Sequence, residues 1–322
     1  MSLAEKAGLV SDLTAIDLCC GAGGWAFAAR GLPIRFLAAV DWAADCLETW
    51  QVNHGADHPD AVLIRTDLSL PDALERICRL LPPAAQHIDL LLGGIPCEEL
   101  SSARRQHGDC APSAEQLEAL DRLVDNCFAL ARRLAPKCFC FEDIRQLARR
   151  LPTELELGFP LVKRIIAAGR YGPQSRMRLF VGRFPEPWPP EIDRQRVLGD
   201  CLLPGPHLTE PGLARFVVRR MGRQNSVGNH SIRLLSPTEP CPTVLAGINR
   251  GSRQRRNFMV EHPTGARILD WRELALLQGF PTDAVFATGG LTRAVKMIAQ
   301  AIPIQVGRAI LKAIVAEGMP VG

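Results

Sequence analysis

Short apolar runs alternate with segments of helical spacing through the first half of the chain. Leu13 to Cys19 reads as a strand, and Cys20-Gly21-Ala22-Gly23-Gly24 follows it as a glycine-rich turn. A helix is predicted over about Trp25 to Arg30, a strand over Ile34 to Val40 ending at Asp41, and a helix over Ala43 to Asn53. Val62 to Arg65 is a short strand ending near Asp67, and Leu70 to Leu81 has helical spacing. The run Ile88 to Leu92 predicts a buried parallel strand stopped by Gly93-Gly94. A helix over Ala114 to Ala135 and a fifth strand over Lys137 to Phe141, ending at Glu142, complete the series. Strands that alternate with helices predict an α/β fold with a doubly wound, mostly parallel sheet.

The texture changes after Phe184. Pro185-Glu-Pro-Trp-Pro-Pro190 breaks regular structure, and the stretch to about Thr264 is rich in Gly, Pro, Arg and Asn. Strand-like pieces such as Leu213 to Arg219 and Pro242 to Ala246 fit a small irregular lobe over residues 184–264. Helical pattern returns at Trp271 to Gln278 and at Leu291 to Val315. The expected division is therefore a main lobe of residues 1–183 and 265–322, interrupted by the small one.

With 322 residues, 47% hydrophobic and 22% charged, the composition is that of a soluble globular protein. No apolar run approaches the ~18 residues of a membrane span, and the start lacks the pattern of a signal peptide. Eleven cysteines without framework spacing point to a reducing, cytoplasmic setting. There is no Cys-x-x-Cys, and no metal site is expected. The net charge of +4 is unevenly spread: Arg170 to Arg256 holds 15 arginines, no lysine and six acidic residues. Arg219-Arg220-Met-Gly-Arg223 and Arg253-Gln-Arg-Arg256 suit phosphate and guanine contacts, although arginine-rich solvated surface has the same composition.

Four constellations carry candidate chemistry. The first is Asp17-Leu-Cys19-Cys-Gly21-Ala-Gly23-Gly24, with Asp41 at the end of strand two and Asp67 at the end of strand three. A glycine-rich turn admits a ligand to the backbone, and a carboxylate at the end of strand two accepts from ribose hydroxyls. Asp67 is placed for an adenine amine and Trp42 for an adenine face. A dinucleotide and S-adenosylmethionine both fit this pattern, and singly each acid also reads as a helix cap. The second is Cys97, in Gly93-Gly-Ile-Pro-Cys97, with Arg104 and Arg105 close behind. A thiol on a cationic loop after a strand end suits a nucleophile, although most buried cysteines are inert. The third is Glu142, leaving a buried strand, an acid or a holder of a heterocycle's nitrogen edge. The fourth is Tyr171-Gly-Pro-Gln-Ser-Arg176-Met-Arg178, whose two arginines at i and i+2 point the same way in an extended segment and suit a clamp on an oxygen or phosphate.

In this combination and order the chain resembles the C5-cytosine DNA methyltransferase family, from Ala15 to about Leu311. Gly93-Gly-Ile-Pro-Cys97 is similar to the family's Gly-Pro-Pro-Cys, Glu142-Asp-Ile to Glu-Asn-Val, and Tyr171 to Arg178 to the Pro-Gln-x-Arg-x-Arg segment. Arg272-Glu-Leu-Ala-Leu-Leu-Gln-Gly-Phe-Pro281 matches the motif after the target-recognition region, and Gln300-Ala-Ile-Pro303 resembles Asn-Ala-Val-Pro. The resemblance implies a Rossmann-like methyltransferase lobe and a target-recognition lobe, with duplex DNA between them and the target cytosine flipped out. It implies Cys97, Glu142, Arg176 and Arg178 as catalytic residues. Cys97 would add at C6, Glu142 would contact N3 and the exocyclic amine, and Arg178 would hold O2. Arg176 would support the loop or a phosphate. It implies S-adenosylmethionine as cofactor, held by Asp17, Cys19, Gly21, Gly23, Gly24, Asp41, Trp42, Asp67, Leu68, Pro96 and Gln300. The expected setting is a monomer on double-stranded DNA in a bacterial or phage-infected cell, with a restriction endonuclease as a partner. The chain departs from the family pattern at Ile95, Glu98, Glu99, Asp143 and Gln300, and carboxylates beside the thiol would slow thiolate formation. These departures leave open a family member acting on RNA or transferring a modified group, and a DNA-binding relative with impaired catalysis.

Overall fold

The predicted alternation of strands and helices becomes a seven-stranded sheet in the computed structural model. The structure describes residues 12–96, 112–152, 154, 158, 160–189, 195–204, 233–245, 258–262 and 265–317. Cys97, Glu98, Glu99, the expected strand over Leu213 to Arg219 and the clusters at Arg219–Arg223 and Arg253–Arg256 lie outside these residues. Strands β1 (Leu13–Leu18), β2 (Ile34–Asp41), β3 (Val62–Arg65), β4 (Leu90–Gly94) and β5 (Cys138–Asp143) run parallel. Their apolar residues are covered on both faces, as a parallel sheet requires. Two further strands extend the sheet: β8 (Met177–Arg183) runs antiparallel to β5, and β6 (Val162–Ala167) antiparallel to β8, with a short β7 (Gln174–Ser175) between them in sequence. The order is β3-β2-β1-β4-β5-β8-β6, so the direction of winding reverses between β1 and β4. That reversal opens a crevice at the carboxyl ends of β1 and β4, where such sheets bind ligands.

Helices α1 (Gly24–Ala29) and α2 (Ala44–His54) pack on one face with the later helices α5 (Trp271–Gln278), α6 (Leu291–Gln300) and α7 (Ile304–Glu317). Trp25, Trp50, Phe36, Phe180 and Phe280 fill this side. Helices α3 (Ala73–Leu80) and α4 (Ala114–Leu134) cover the other, where Ile77, Val124 and Phe128 meet Leu91, Phe139 and Phe141. A reciprocal capping box between Ser113 and Gln116 starts α4, and one between Asp270 and Glu273 starts α5. Helix α3 begins three residues later than its apolar spacing suggested, behind Pro71 and Asp72.

Two other expectations are corrected. The glycine pair does not stop β4; the strand runs through it. Gly93 pairs with Leu18 and Phe141, and Gly94 with Glu142. A side chain at Gly93 would lie 3.1 Å from the Leu18 carbonyl oxygen, so glycine serves close approach between strands. The helical pattern of Leu291 to Val315 is two helices meeting at 42°, because Pro303 lacks the N–H to continue the first. Among the described residues no single helix is long and apolar enough to cross a membrane.

The described pieces between 184 and 264 are short. Strands β9 (Arg233–Leu235), β11 (Phe258–His262) and β12 (Gly265–Ile268) form a small sheet. The expected strand over Pro242 to Ala246 is only β10 (Cys241–Pro242), which pairs with β7. Leu198, Leu235, Cys241, Val244 and Val260 belong to the same apolar cluster as α5 and α6. A buried ion pair ties them further: both guanidinium nitrogens of Arg267 meet Glu273, at 2.7 and 2.8 Å, and the Leu203 N–H donates to the same carboxylate.

Candidate active site

The end of β1 turns sharply into α1. Cys19, Gly21 and Gly23 all have positive φ, at 50°, 52° and 80°. At Gly23 a side chain would also lie 2.6 Å from His54 Nε2, so only glycine fits. The turn is held by Asp41, whose two oxygens accept from the Gly21 and Ala43 N–H groups, each at 2.9 Å. Burial pushes the Asp41 carboxyl up in pKa against these hydrogen bonds. Beside it, Trp42 is 60% exposed at the crevice edge. Asp67 accepts through Oδ1 from the Ser69 N–H and hydroxyl at 2.8 and 2.7 Å, and neighbouring Leu68 is buried. Asp17, only 1% exposed, has no hydrogen bond on either carboxylate oxygen among the described residues. Burial first and the Asp41 charge second push its pKa well up, opposed in part by the Trp50 indole. Asp17, Asp41 and Asp67 all act on the half-buried Cys19 thiol, whose pKa burial drives upward, so these strand ends converge. Pro96 is half-buried past β4, and Gln300 is exposed at the end of α6.

The end of β5 has a different character. Glu142 is 4% exposed, and its Oε1 lies 3.0 Å from Nε of Arg178 on the neighbouring β8. Burial raises its pKa despite the opposing charges of Arg178 and Arg176. The Ile95 N–H donates to the Glu142 carbonyl at 3.0 Å, so the chain leaves β4 toward Pro96 and Cys97 beside this glutamate. Asp143 points to the opposite face, where it accepts from the Ile144 N–H and adds to the burial that raises the pKa of Cys127 on α4.

The family model for the C-5 cytosine-specific DNA methylase matches residues 13–189 and 209–316. The chain belongs to the C-5 cytosine-specific DNA methylase family. Among curated relatives, the type II methyltransferase M.MthTI of Methanothermobacter thermautotrophicus is 24% identical, covering 91% of this chain and 94% of its own. The type II methyltransferase M.HindV of Haemophilus influenzae is 25% identical, over 93% of this chain and 95% of its own. M.AgeI of Thalassovita gelatinovora is 26% identical over 83% of this chain, which spans only 64% of that relative's length. The Dnmt2 methyltransferase of S. pombe superposes with a TM-score of 0.64 at 15% identity, over 95% of this chain and 98% of its own. The Entamoeba histolytica methyltransferase EhMeth gives 0.67 at 10% identity, over 96% and 99%. These structures share the fold.

Within this methylase framework the two arginines divide their work. Their i and i+2 spacing predicts side chains that point the same way, and they do not. Arg178 turns to Glu142, whereas Arg176, buried between β7 and β8, donates to the Ala299 and Ala301 carbonyls at 3.0 and 3.1 Å. Its terminal nitrogens support the turn after α6. The break between β7 and β8 removes the regular alternation on which the expectation rested. Sequence reasoning also passed over Gln174 and Gln278, buried glutamines linked at 2.8 Å. Both lie inside quoted motifs. A glutamine ending the apolar run Leu274-Ala-Leu-Leu-Gln278 was the available signal. Among the described residues no group of acids, histidines and cysteines could hold a metal ion.

Proposed function

We propose that this methylase transfers a methyl group from S-adenosylmethionine to C5 of a cytosine flipped out of duplex DNA, through a covalent bond between Cys97 and C6. One observation carries the reading: buried Glu142, paired with Arg178, lies beside the strand end that leads into Cys97. Cytosine C5 is a poor nucleophile. Addition of the Cys97 thiolate to C6 moves the C5–C6 electron pair into an enamine and makes C5 reactive. A carboxyl with raised pKa suits Glu142 to this step. In its protonated form it donates to N3 and accepts from the exocyclic amine. Arg178 offers its guanidinium to O2 and to the charge that develops on the ring. After C5 is methylated, its proton passes to a solvent base, Cys97 leaves as thiolate, and the C5–C6 double bond returns.

S-adenosylmethionine supplies an electrophilic methyl carbon. The residues present fit it. The orphaned carboxyl of Asp17 and the acids Asp41 and Asp67 suit a cationic ligand, and exposed Trp42 suits an adenine face. Asp41 keeps lone pairs for ribose hydroxyls. Gly21, where an added side chain would meet nothing within 4 Å, leaves the backbone approachable beside Cys19, while buried Gly23 and Gly24 shape the turn; Leu68 is buried next to Asp67, and Pro96 and Gln300 are at the rim. The arginine-rich 170–256 stretch supports duplex DNA as substrate and residues 184–264 as its reading lobe, and relatives named as type II methyltransferases support a restriction endonuclease partner. DNA carrying 5-fluorocytosine tests the mechanism, because fluorine at C5 cannot leave as a proton. The wild type should form a denaturation-resistant adduct. Cys97→Ser should form none and lose turnover while still binding DNA; normal turnover by that variant would overturn the assignment.

A further inference from the structure

The α6–α7 turn, residues 299–303, lies between the two halves of the site. Its Ile302 side chain packs against both. A side chain added at Gly24, beyond the cofactor loop, would lie 3.0 Å from Ile302 Cγ1, and one at Gly94, at the end of β4, 3.5 Å from Ile302 Cγ2. Pro303 has no N–H to offer the Ala299 carbonyl and the helical bonding of α6 ends at the Ala301 N–H, so the carbonyls of Ala299, Ala301 and Ile302 need other donors. Two buried side chains supply them. Arg176 donates to Ala299 and Ala301, and the Gln278 amide donates to Ala301 at 2.6 Å and Ile302 at 3.1 Å. The Gln278 carbonyl oxygen accepts in turn from Gln174 Nε2 at 2.8 Å. Gln174 is itself fixed, by donating to the Leu277 carbonyl and accepting from the Val244 N–H at 3.1 Å.

We infer that Gln278 is a positioning residue for methyl transfer: with Gln174 and Arg176 it seats Ile302 against Gly24 and Gly94, and so sets the spacing between the cofactor loop and the strand that delivers Cys97. The target-side groups are held independently. Glu142 and Arg178 are fixed by strand pairing and by each other, with no hydrogen bond to either glutamine. The strand β4 is likewise held by its pairing with β1 and β5, so loss of the Gln278 amide falls on the seat of the cofactor loop and spares the addition of Cys97 to C6. The inference rests on the methyl-transfer reading above.

The two steps can be read separately. Addition of Cys97 to C6 lets C5 take a solvent proton and release its own hydrogen before the thiolate leaves, with no methyl donor needed. DNA tritiated at cytosine C5 reports this exchange, and labelled S-adenosylmethionine reports transfer. In Gln278→Met, kcat for transfer should fall about 100-fold, the scale of a small misplacement of reacting groups. KM for DNA and cofactor should stay within about threefold, and tritium release without cofactor within about twofold. Ile302→Ala, which leaves both glutamines in place, should show the same split and serves where Gln278→Met does not fold. Equal loss of exchange and transfer, or unchanged transfer, would overturn the proposal alone. Wild-type protein that neither releases tritium nor methylates would overturn the transfer reading as well.

Discussion

At the ends of β1 and β2, the proposed cofactor side, Asp41 is held by two backbone N–H groups, and Asp17 by no hydrogen bond among the described residues. At the end of β5, the proposed target side, Glu142 lies against the guanidinium of Arg178. All three carboxyls are buried, and burial raises the pKa of each. The difference lies in what opposes it. Asp41 feels the charge of Arg293, but Arg293 forms its ion pair with Asp45, so among the described residues no cation is hydrogen-bonded to Asp17 or Asp41 and a cationic ligand can be. A neutral base that gains electrons during reaction needs the reverse, a cation and a proton donor already in place. Under the proposed function, buried carboxyls at equivalent strand ends are thus prepared for different partners, a cationic ligand at Asp17 and Asp41 and a base that gains negative charge at Glu142.

The sharpest way to break this comparison is at Glu142. Glu142→Gln keeps size and hydrogen-bonding reach but removes the acid, and kcat should fall about 100- to 1,000-fold, with cofactor affinity unchanged. Steady-state kinetics with calorimetry of cofactor binding checks both halves; a variant with full kcat would remove Glu142 from the chemistry. A smaller effect is expected at Asp41. Asp41→Ala should weaken S-adenosylmethionine binding by about 1.5–3 kcal/mol and leave DNA binding without cofactor unaltered. Preferred binding of NAD would instead return the glycine-rich turn to a dinucleotide. The smallest effect, and the most telling in sign, belongs to Asp17. Its folded pKa is raised, so its contribution to stability is complete below the unfolded value of about 3.9 and is lost as pH rises through the folded value. Asp17→Asn should therefore raise the thermal stability of the cofactor-free protein at pH 7, with the gain vanishing toward pH ~4, while weakening cofactor binding. Melting curves across pH that show no such convergence would mean that Asp17 has a partner in the free protein.

Much of this contrast was legible from local sequence. Val62–Arg65 was read as a strand with its observed ends, and Asp17, Asp41 and Glu142 fall at strand ends because apolar runs stop there. What local pattern did not reveal was set by contacts distant in sequence. Arg176 and Arg178 share a spacing but not a direction, because the carbonyls that draw Arg176 lie more than 120 residues away. Gly93 and Gly94 looked like a stop because a glycine's use in close strand packing depends on neighbours that arrive from β1 and β5. The α6–α7 break turned on Pro303, visible in the sequence, but its seating depends on Gln278 from a separate helix. Glu273 read as part of a motif, and only the fold brings Arg267 and the Leu203 N–H to it.

The central claim is that this chain methylates cytosine C5 in DNA through Cys97. Bisulfite sequencing of DNA from cells expressing the protein tests it most directly. The account predicts cytosines protected from conversion in one fixed sequence context, with protection lost in Cys97→Ser. Complete conversion with folded wild-type protein present, or protection that persists in Cys97→Ser, would contradict it.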